Sequence, residues 1–214
     1  MAIFGGASQG GMKHNQGGEI RVEGGYSRTG SGGDIMMRSG YSKVSSSGII
    51  HMTTANTGGK GVTGALLLGT GNASYGNSGR LSLSTGFSTK GTGGSIMMLV
   101  GTGDKGNGGG IDLQAGNTTT KAKGGRVSIT TGSSTAAASG DLSLKTAPSE
   151  LRASSGIISI MSGSSSNANS GSISVLSGQA PKGHAGSIVF SVGIGGTGDG
   201  GSVNISAGDS SAST

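Results

Sequence analysis

The chain contains 214 residues with a net charge of +6; 49 residues are glycine, only 3% are aromatic and none is cysteine. The lack of cysteine excludes disulfide frameworks, thiolate metal sites and cysteine nucleophiles. The basic residues are scattered, which favours a role in solubility, and no nucleic-acid partner is expected. Such a composition is also typical of disorder, so only a regular pattern can indicate a fold.

Residues 1–16 form a lead-in or partial turn. The stretch 3–8, Ile-Phe-Gly-Gly-Ala-Ser, resembles 22–27, Val-Glu-Gly-Gly-Tyr-Ser, as though the chain entered a repeat midway. No basic stretch precedes a long apolar one, so a signal peptide is not predicted. The longest apolar run, 96–100, is far too short to cross a membrane, and no membrane partner is expected.

From residue 17 to residue 214 the chain repeats one unit of fifteen or sixteen residues. The thirteen repeats begin at residues 17, 32, 47, 63, 78, 93, 108, 124, 139, 155, 170, 185 and 200. Each repeat follows the pattern small–Gly–x–apolar–x–apolar–x–small–Gly. Six or seven residues rich in Ser, Thr, Asn, Gly and Lys complete it. We number positions from the first residue of each repeat.

Positions four and six are apolar in every repeat, which is the period-two alternation of a strand with one buried face. These positions predict a core ladder of twenty-six side chains: Ile20, Val22, Ile35, Met37, Ile50, Met52, Leu66, Leu68, Leu81, Leu83, Ile96, Met98, Ile111, Leu113, Val127, Ile129, Leu142, Leu144, Ile158, Ile160, Ile173, Val175, Ile188, Phe190, Val203 and Ile205.

Glycine occupies position two of every repeat and position nine of all but two. The position-two residues are predicted turn glycines: Gly18, Gly33, Gly48, Gly64, Gly79, Gly94, Gly109, Gly125, Gly140, Gly156, Gly171, Gly186 and Gly201. At position nine, glycine is expected to turn the chain because it tolerates a positive φ. The small residues of position eleven are expected to close the coil.

An all-β fold follows from this pattern: a single-domain β-solenoid of about thirteen turns with parallel, stacked strands. An up-and-down meander is the alternative, since the loops are too short for helical crossovers. Identical units related by translation favour the solenoid, because each position then stacks on its copy in the next turn.

Several outward positions, five and seven, are apolar although polar residues are expected there. They predict a lateral interface: Met36, Leu67, Met97, Leu99, Met161, Leu176 and Val189. The array also ends without a distinct capping repeat, which leaves two alternatives. The sequence is a fragment of a longer protein, or it is a subunit that stacks end to end.

No catalytic, cofactor or metal site is predicted, and the chain is not expected to be an enzyme. His14, His51 and His184 occupy non-equivalent positions of different repeats, and the nine carboxylates do not recur as pairs. The repeat length and the lack of a recurring Asp also disfavour a calcium-binding β-roll.

The repeats at 139–146 (Ser-Gly-Asp-Leu-Ser-Leu-Lys-Thr) and 200–208 (Gly-Gly-Ser-Val-Asn-Ile-Ser-Ala-Gly) resemble the glycine/serine-rich repeats of microbial and phage surface-fibre proteins. That resemblance implies an extracellular location, or one on a cell or virion surface. The expected function is therefore a structural filament of self-associating copies. The alternative is a solenoid that binds ice, a glycan or a receptor through one flat polar face, although the regular Thr-x-Thr face of insect ice-binding solenoids is lacking.

Overall fold

The computed structural model describes residues 2–8, 16–59, 61–150 and 153–209. Within these ranges the chain forms neither helix nor β-strand, so the predicted β-solenoid is wrong. A solenoid needs each strand to pair with the same strand one turn away. The six backbone–backbone hydrogen bonds of the described residues never join equivalent positions of successive repeats.

The physical reason lies in the content of each repeat. Two large apolar side chains in fifteen or sixteen residues cannot enclose a core, and among the described residues none is buried. Ordering a backbone without such burial is unfavourable, because each fixed residue loses about 1–2 kcal/mol of conformational entropy. A perfect period-two pattern therefore indicates which face is apolar without ensuring that one chain can cover it.

The repeat nevertheless governs the local structure. In the described ranges the chain bends at positions 12–14 of nearly every repeat, and no bend lies between positions one and eleven there. The bends lie at 28–30, 43–45, 59, 74–76, 89–91, 104–106, 119–122, 135–137, 166–168, 181–183 and 196–199. We call positions one to nine the segment and the remaining positions, which contain the bend, the loop.

Hydrogen bonds close several of the loops. In each, the N–H of the position-two glycine donates to the carbonyl of position nine in the preceding repeat. The N···O distances are 2.8 Å from Gly33 to Gly25, 2.9 Å from Gly48 to Gly40 and 2.9 Å from Gly140 to Gly132. Two further bonds, Gly125 to Gly116 and Gly18 to Gly6, follow the same pattern, and the second begins in the lead-in. Each closed loop thus brings two neighbouring segments together at one point.

The prediction that position nine turns the chain through a positive φ is wrong. The described glycines with positive φ are Gly59 (76°), Gly76 (98°), Gly106 (83°) and Gly198 (81°). The last three occupy position fourteen and Gly59 occupies position thirteen, so the turn lies in the bend and the chain passes through position nine without one.

Five of the bends are shaped by a hydroxyl at position eleven. The hydroxyl oxygen accepts a hydrogen bond from the N–H of position fourteen, a local turn that competes with regular structure. These bonds run from Gly30 to Ser27 (2.9 Å), Ser45 to Ser42 (3.0 Å), Ala137 to Ser134 (2.9 Å) and Ala168 to Ser165 (3.1 Å), with a shorter-range one from Thr120 to Thr118 (3.3 Å). Position eleven therefore shapes the bend, whereas it was expected to fill a coil.

The repeats that lack this hydroxyl bend in other ways. Those starting at 63, 93 and 185 have Ala73, Gly103 and Gly195 at position eleven, and they are the repeats with a positive-φ glycine at position fourteen. The repeat starting at 170 has Ala180 there, and a β-turn through Pro181 replaces the motif, with the N–H of Gly183 donating to the Ala180 carbonyl at 3.2 Å.

The chain divides into two bodies, Met1–Gly109 and Gly110–Thr214. Each body is a succession of the same segments and loops. The predicted single array of 17–214 extends over both, and its last five residues, with much of the lead-in 1–16, lie outside the described residues.

Substituting Ser134→Ala should loosen one bend. The hydroxyl that holds the Ala137 N–H is removed, and a hydrogen bond of this kind contributes about 0.5–1 kcal/mol. We expect amide exchange at Ala137, followed by NMR, to accelerate about two- to fivefold. Ser133→Ala is the control, because Ser133 precedes the bonded hydroxyl and should leave the rate unchanged. Equal rates in the two variants would contradict the role given to position eleven.

Candidate assembly surface

The segments have two faces that differ in exposure. Side chains at position four are 46–67% exposed, whereas the apolar residues at outward positions five and seven are 76–88% exposed. This alternation is that of an extended backbone, whose successive side chains point to opposite sides. Within each segment the two residues of the predicted core ladder lie on one side of an extended backbone, but both are open to solvent, and their exposure ranges from 46% at Ile188 to 90% at Ile205.

Position eight is the best-covered point of the segment. Ser39, Thr131 and Thr146 are half-buried there, and Val100 and Val192, at 40% and 45%, are the least exposed large apolar side chains. Position eight is glycine, alanine, serine, threonine or valine throughout the chain. A small side chain at this place is therefore a structural feature of the repeat.

The cover comes from the position-two glycine of the next repeat. A Cβ atom on Gly109 would lie 2.8 Å from Val100 Cγ1, and one on Gly94 would lie 3.1 Å from Thr85 Cβ. The Thr85 hydroxyl also donates a hydrogen bond of 3.2 Å to the Gly94 carbonyl. Such distances are shorter than ordinary van der Waals contact, so the backbone of one repeat rests directly on position eight of the repeat before it.

Close approach, and not a positive φ, is thus what the position-two glycines provide. Where position eight is itself glycine, the approach is between backbones: a Cβ on Gly33 would lie 2.9 Å from the Gly25 nitrogen. Gly186 is the exception, with nothing within 4 Å of its would-be Cβ, and it follows the repeat whose loop is built on Pro181. We call these contacts the junctions.

The charged residues are distributed unequally between segments and loops, although the basic residues look scattered in the sequence. The segments of the thirteen repeats contain five basic and five acidic residues, and their loops contain nine basic and four acidic ones. Lys13, in the lead-in, accounts for the remaining charge. The segments are therefore neutral as a set, and the excess positive charge belongs to the loops.

No grouping of three or more His, Cys, Asp or Glu side chains suited to a metal ion occurs in the part of the chain that the structure describes. His51 and His184 lie there in different bodies, and His14 lies outside it. The ion pair of the described ranges joins Arg21 to Glu23 within one segment. Among these residues there is also no helix long and apolar enough to cross a membrane.

An open cleft of about 490 Å³ lies beside a junction of the described residues. It is lined by Arg38, Ser39, Gly40, Tyr41 and Ser47. The residues of the predicted lateral interface are not gathered into such a cleft; they stand on the outward face of separate segments, as their high exposure indicates.

Sequence reasoning did not single out position eight as a contact or the loops as the site of the charge. Both signals are in the sequence, since position eight never carries a long side chain and the loop charges repeat with the bends. Comparison of the chain with protein-family models, curated proteins and solved structures finds no match.

Substituting Gly33→Ala should disturb a junction. The new methyl group would meet the Gly25 backbone at 2.9 Å, so the two backbones must separate, at a cost of about 1–3 kcal/mol. We expect NMR amide shifts to change at residues 24–26 as well as around residue 33. Gly186→Ala is the matched control, because open space surrounds that position, and its shifts should stay with its sequence neighbours. A Gly33→Ala effect confined to residues 31–35 would contradict the junction.

Proposed function

We propose that this chain is a structural protein that assembles with copies of itself by burying the apolar faces of its segments. One observation carries the proposal: in every repeat the apolar side chains of positions four and six stay exposed in the single chain. Exposed apolar surface on this scale marks a site of protein–protein contact. A second copy of the chain offers a face with the same spacing.

The energetic scale supports assembly. Burying one such side chain completely contributes about 1.5–3 kcal/mol, and partial burial contributes proportionately less. Association of two chains costs about 4–15 kcal/mol in lost motion. The burial of a few segments therefore offsets the cost of association. Each further segment of the same chain adds binding free energy without a second loss of motion.

Charge also supports contact through the segments. Since these stretches hold equal numbers of acidic and basic residues, copies can approach along them without net repulsion. The positive charge in the loops acts at the margin of such a contact, where water screens it. A neutral apolar stretch with a charged border is the composition typical of an interface core and rim.

The backbone of the segments favours the same partner. In the described residues the bonds of the junctions and bends satisfy few of the N–H and C=O groups. Groups left unpaired along an apolar stretch are a template for pairing with another chain. The outward apolar residues, such as Met36 and Leu67, offer a second, lateral contact between copies.

The proposed role is that of a filament or fibre subunit, outside the cell or on a cell or virion surface, with no catalytic activity. Contact through segment faces replaces the end-to-end stacking expected from the sequence, because stacking requires the coil turns that the structure lacks. A module that binds an external surface as a single chain is the alternative, and persistent monomers would favour it.

Removing the apolar face from two repeats tests this proposal. In the quadruple variant Ile158→Asn, Ile160→Asn, Ile173→Asn and Val175→Asn, the face loses four side chains that we expect to be buried on assembly. Loss of one fully buried side chain amounts to about 1.5 kcal/mol, a tenfold change in an equilibrium constant. The concentration at which assembly begins, measured by light scattering and electron microscopy, should therefore rise at least about tenfold.

The matched control changes the opposite face of the same region with the same new side chain. Its substitutions are Ser143→Asn, Ser159→Asn, Ser172→Asn and Ser174→Asn, at positions three and five, which alternate with the apolar positions four and six. Assembly should begin at the wild-type concentration. Equal effects of the two variants, or wild-type protein that stays monomeric at high concentration, would overturn the proposal.

A further inference from the structure

The bends carry basic residues at a regular interval. Eight of the thirteen repeats have a lysine or arginine at positions 12–14: Arg28, Lys43, Lys60, Lys90, Lys105, Lys121, Arg152 and Lys182. Lys60 and Arg152 lie outside the described residues, and the other six are exposed. Only two of these eight repeats also hold an acidic residue at positions 12–14, Asp104 in one and Glu150 in the other.

None of these six cations forms an ion pair within the described residues, where the pair that does form is the one between Arg21 and Glu23. A basic side chain without an internal partner at an exposed bend is open to an external anion. The excess positive charge thus lies in the loops, and its described members form no ion pair within the chain.

The bends also fix where these cations stand. Arg28 lies inside the turn held by the bond from Gly30 to the Ser27 hydroxyl, and Lys105 precedes Gly106, whose φ is +83°. The two different bend chemistries therefore each place a basic residue within the bend, at position twelve for Arg28 and at position thirteen for Lys105. Basic residues that recur in the bends suit a ligand whose negative charges also repeat, because successive units of the ligand can each contact one of them.

The surroundings of these cations suit a sugar chain. Two bends have an exposed tyrosine two residues before the basic residue, Tyr26 before Arg28 and Tyr41 before Lys43. The open cleft of about 490 Å³ joins the second of these tyrosines to Arg38 and two serine residues. An aromatic ring offers an apolar face for a sugar ring, and hydroxyls and guanidinium groups hydrogen-bond to its hydroxyls and carboxylates or sulfates.

The spacing of the charges favours a polysaccharide over a nucleic acid. Duplex DNA carries about one negative charge per 1.7 Å and is bound by clustered basic residues. In this chain most loop cations stand alone, separated by segments that are neutral as a set, and only Lys121 and Lys123 share a loop. Carboxylated or sulfated sugar chains, whose charges are separated by whole sugar rings, match this sparse pattern.

We infer that the loops bind an anionic polysaccharide through the basic residues of their bends. The eight loops with a basic residue each contribute an ionic contact, and they act together because one chain links them. Assembly as proposed above would add further loops, but a single chain already presents six described cations. The inference therefore does not depend on assembly, and the two can fail separately.

The test compares two variants with the same net charge. The loop variant carries Lys43→Gln, Lys90→Gln, Lys105→Gln and Lys121→Gln, and its affinity for immobilised dextran sulfate and alginate is measured at fixed salt. We expect a loss of affinity of about tenfold or more and a shallower salt dependence, by about one unit of slope per lost contact. Uncharged dextran should bind neither variant nor the wild type.

The segment variant carries Arg21→Gln, Arg80→Gln, Arg126→Gln and Lys145→Gln, and it should bind within about twofold of the wild type, because its cations lie outside the bends. Equal losses in both variants would show that net charge alone drives binding and would overturn the inference. Failure of the wild type to bind either polysaccharide, or tighter binding to a DNA duplex, would do so too. Light scattering of each sample reports assembly independently.

Discussion

Each repeat brings only two large apolar side chains to one face, and the rest of the structure depends on this shortage. A face of that width can be covered by a partner, but a chain of fifteen- or sixteen-residue repeats cannot enclose it. The described residues accordingly contain no buried side chain. The consequence is a molecule with regular local structure and apolar side chains that remain open to solvent, which is the surface we propose for contact with other copies.

Local order in this chain is produced by small contacts that recur with the repeat. Position-two glycines let one backbone rest on position eight of the preceding repeat, as Gly109 does on Val100. Hydroxyls at position eleven or positive-φ glycines at position fourteen form the bends. Neither the glycine contacts nor the bends need a hydrophobic core, because each joins residues that lie close together in the sequence. Neutral segments and basic loops then divide the surface into a part suited to self-contact and a part suited to an anionic partner.

The length of the repeat is evident from the sequence, and the bends of the structure recur with it. The turn role expected of the position-two glycines stays a prediction. The sequence did not predict the fold correctly: alternation such as that of Ile158 and Ile160 is the same whether a strand is paired or open. The positive φ expected at position nine occurs instead at Gly76 and its counterparts, since the neighbouring loop residues decide where the chain bends. The role of position eight could have been inferred from its lack of long side chains.

Oxidation of methionine tests the central claim most directly, because two adjacent pairs place one methionine on each face. Met37 and Met98 belong to the apolar face, and Met36 and Met97 point outward. All four are exposed in the single chain. Mass spectrometry after brief peroxide treatment should show similar oxidation in dilute protein and, as the concentration rises, protection of Met37 and Met98 ahead of Met36 and Met97. Equal oxidation of both faces in the assembled protein, or the lack of any protection at high concentration, would contradict the account.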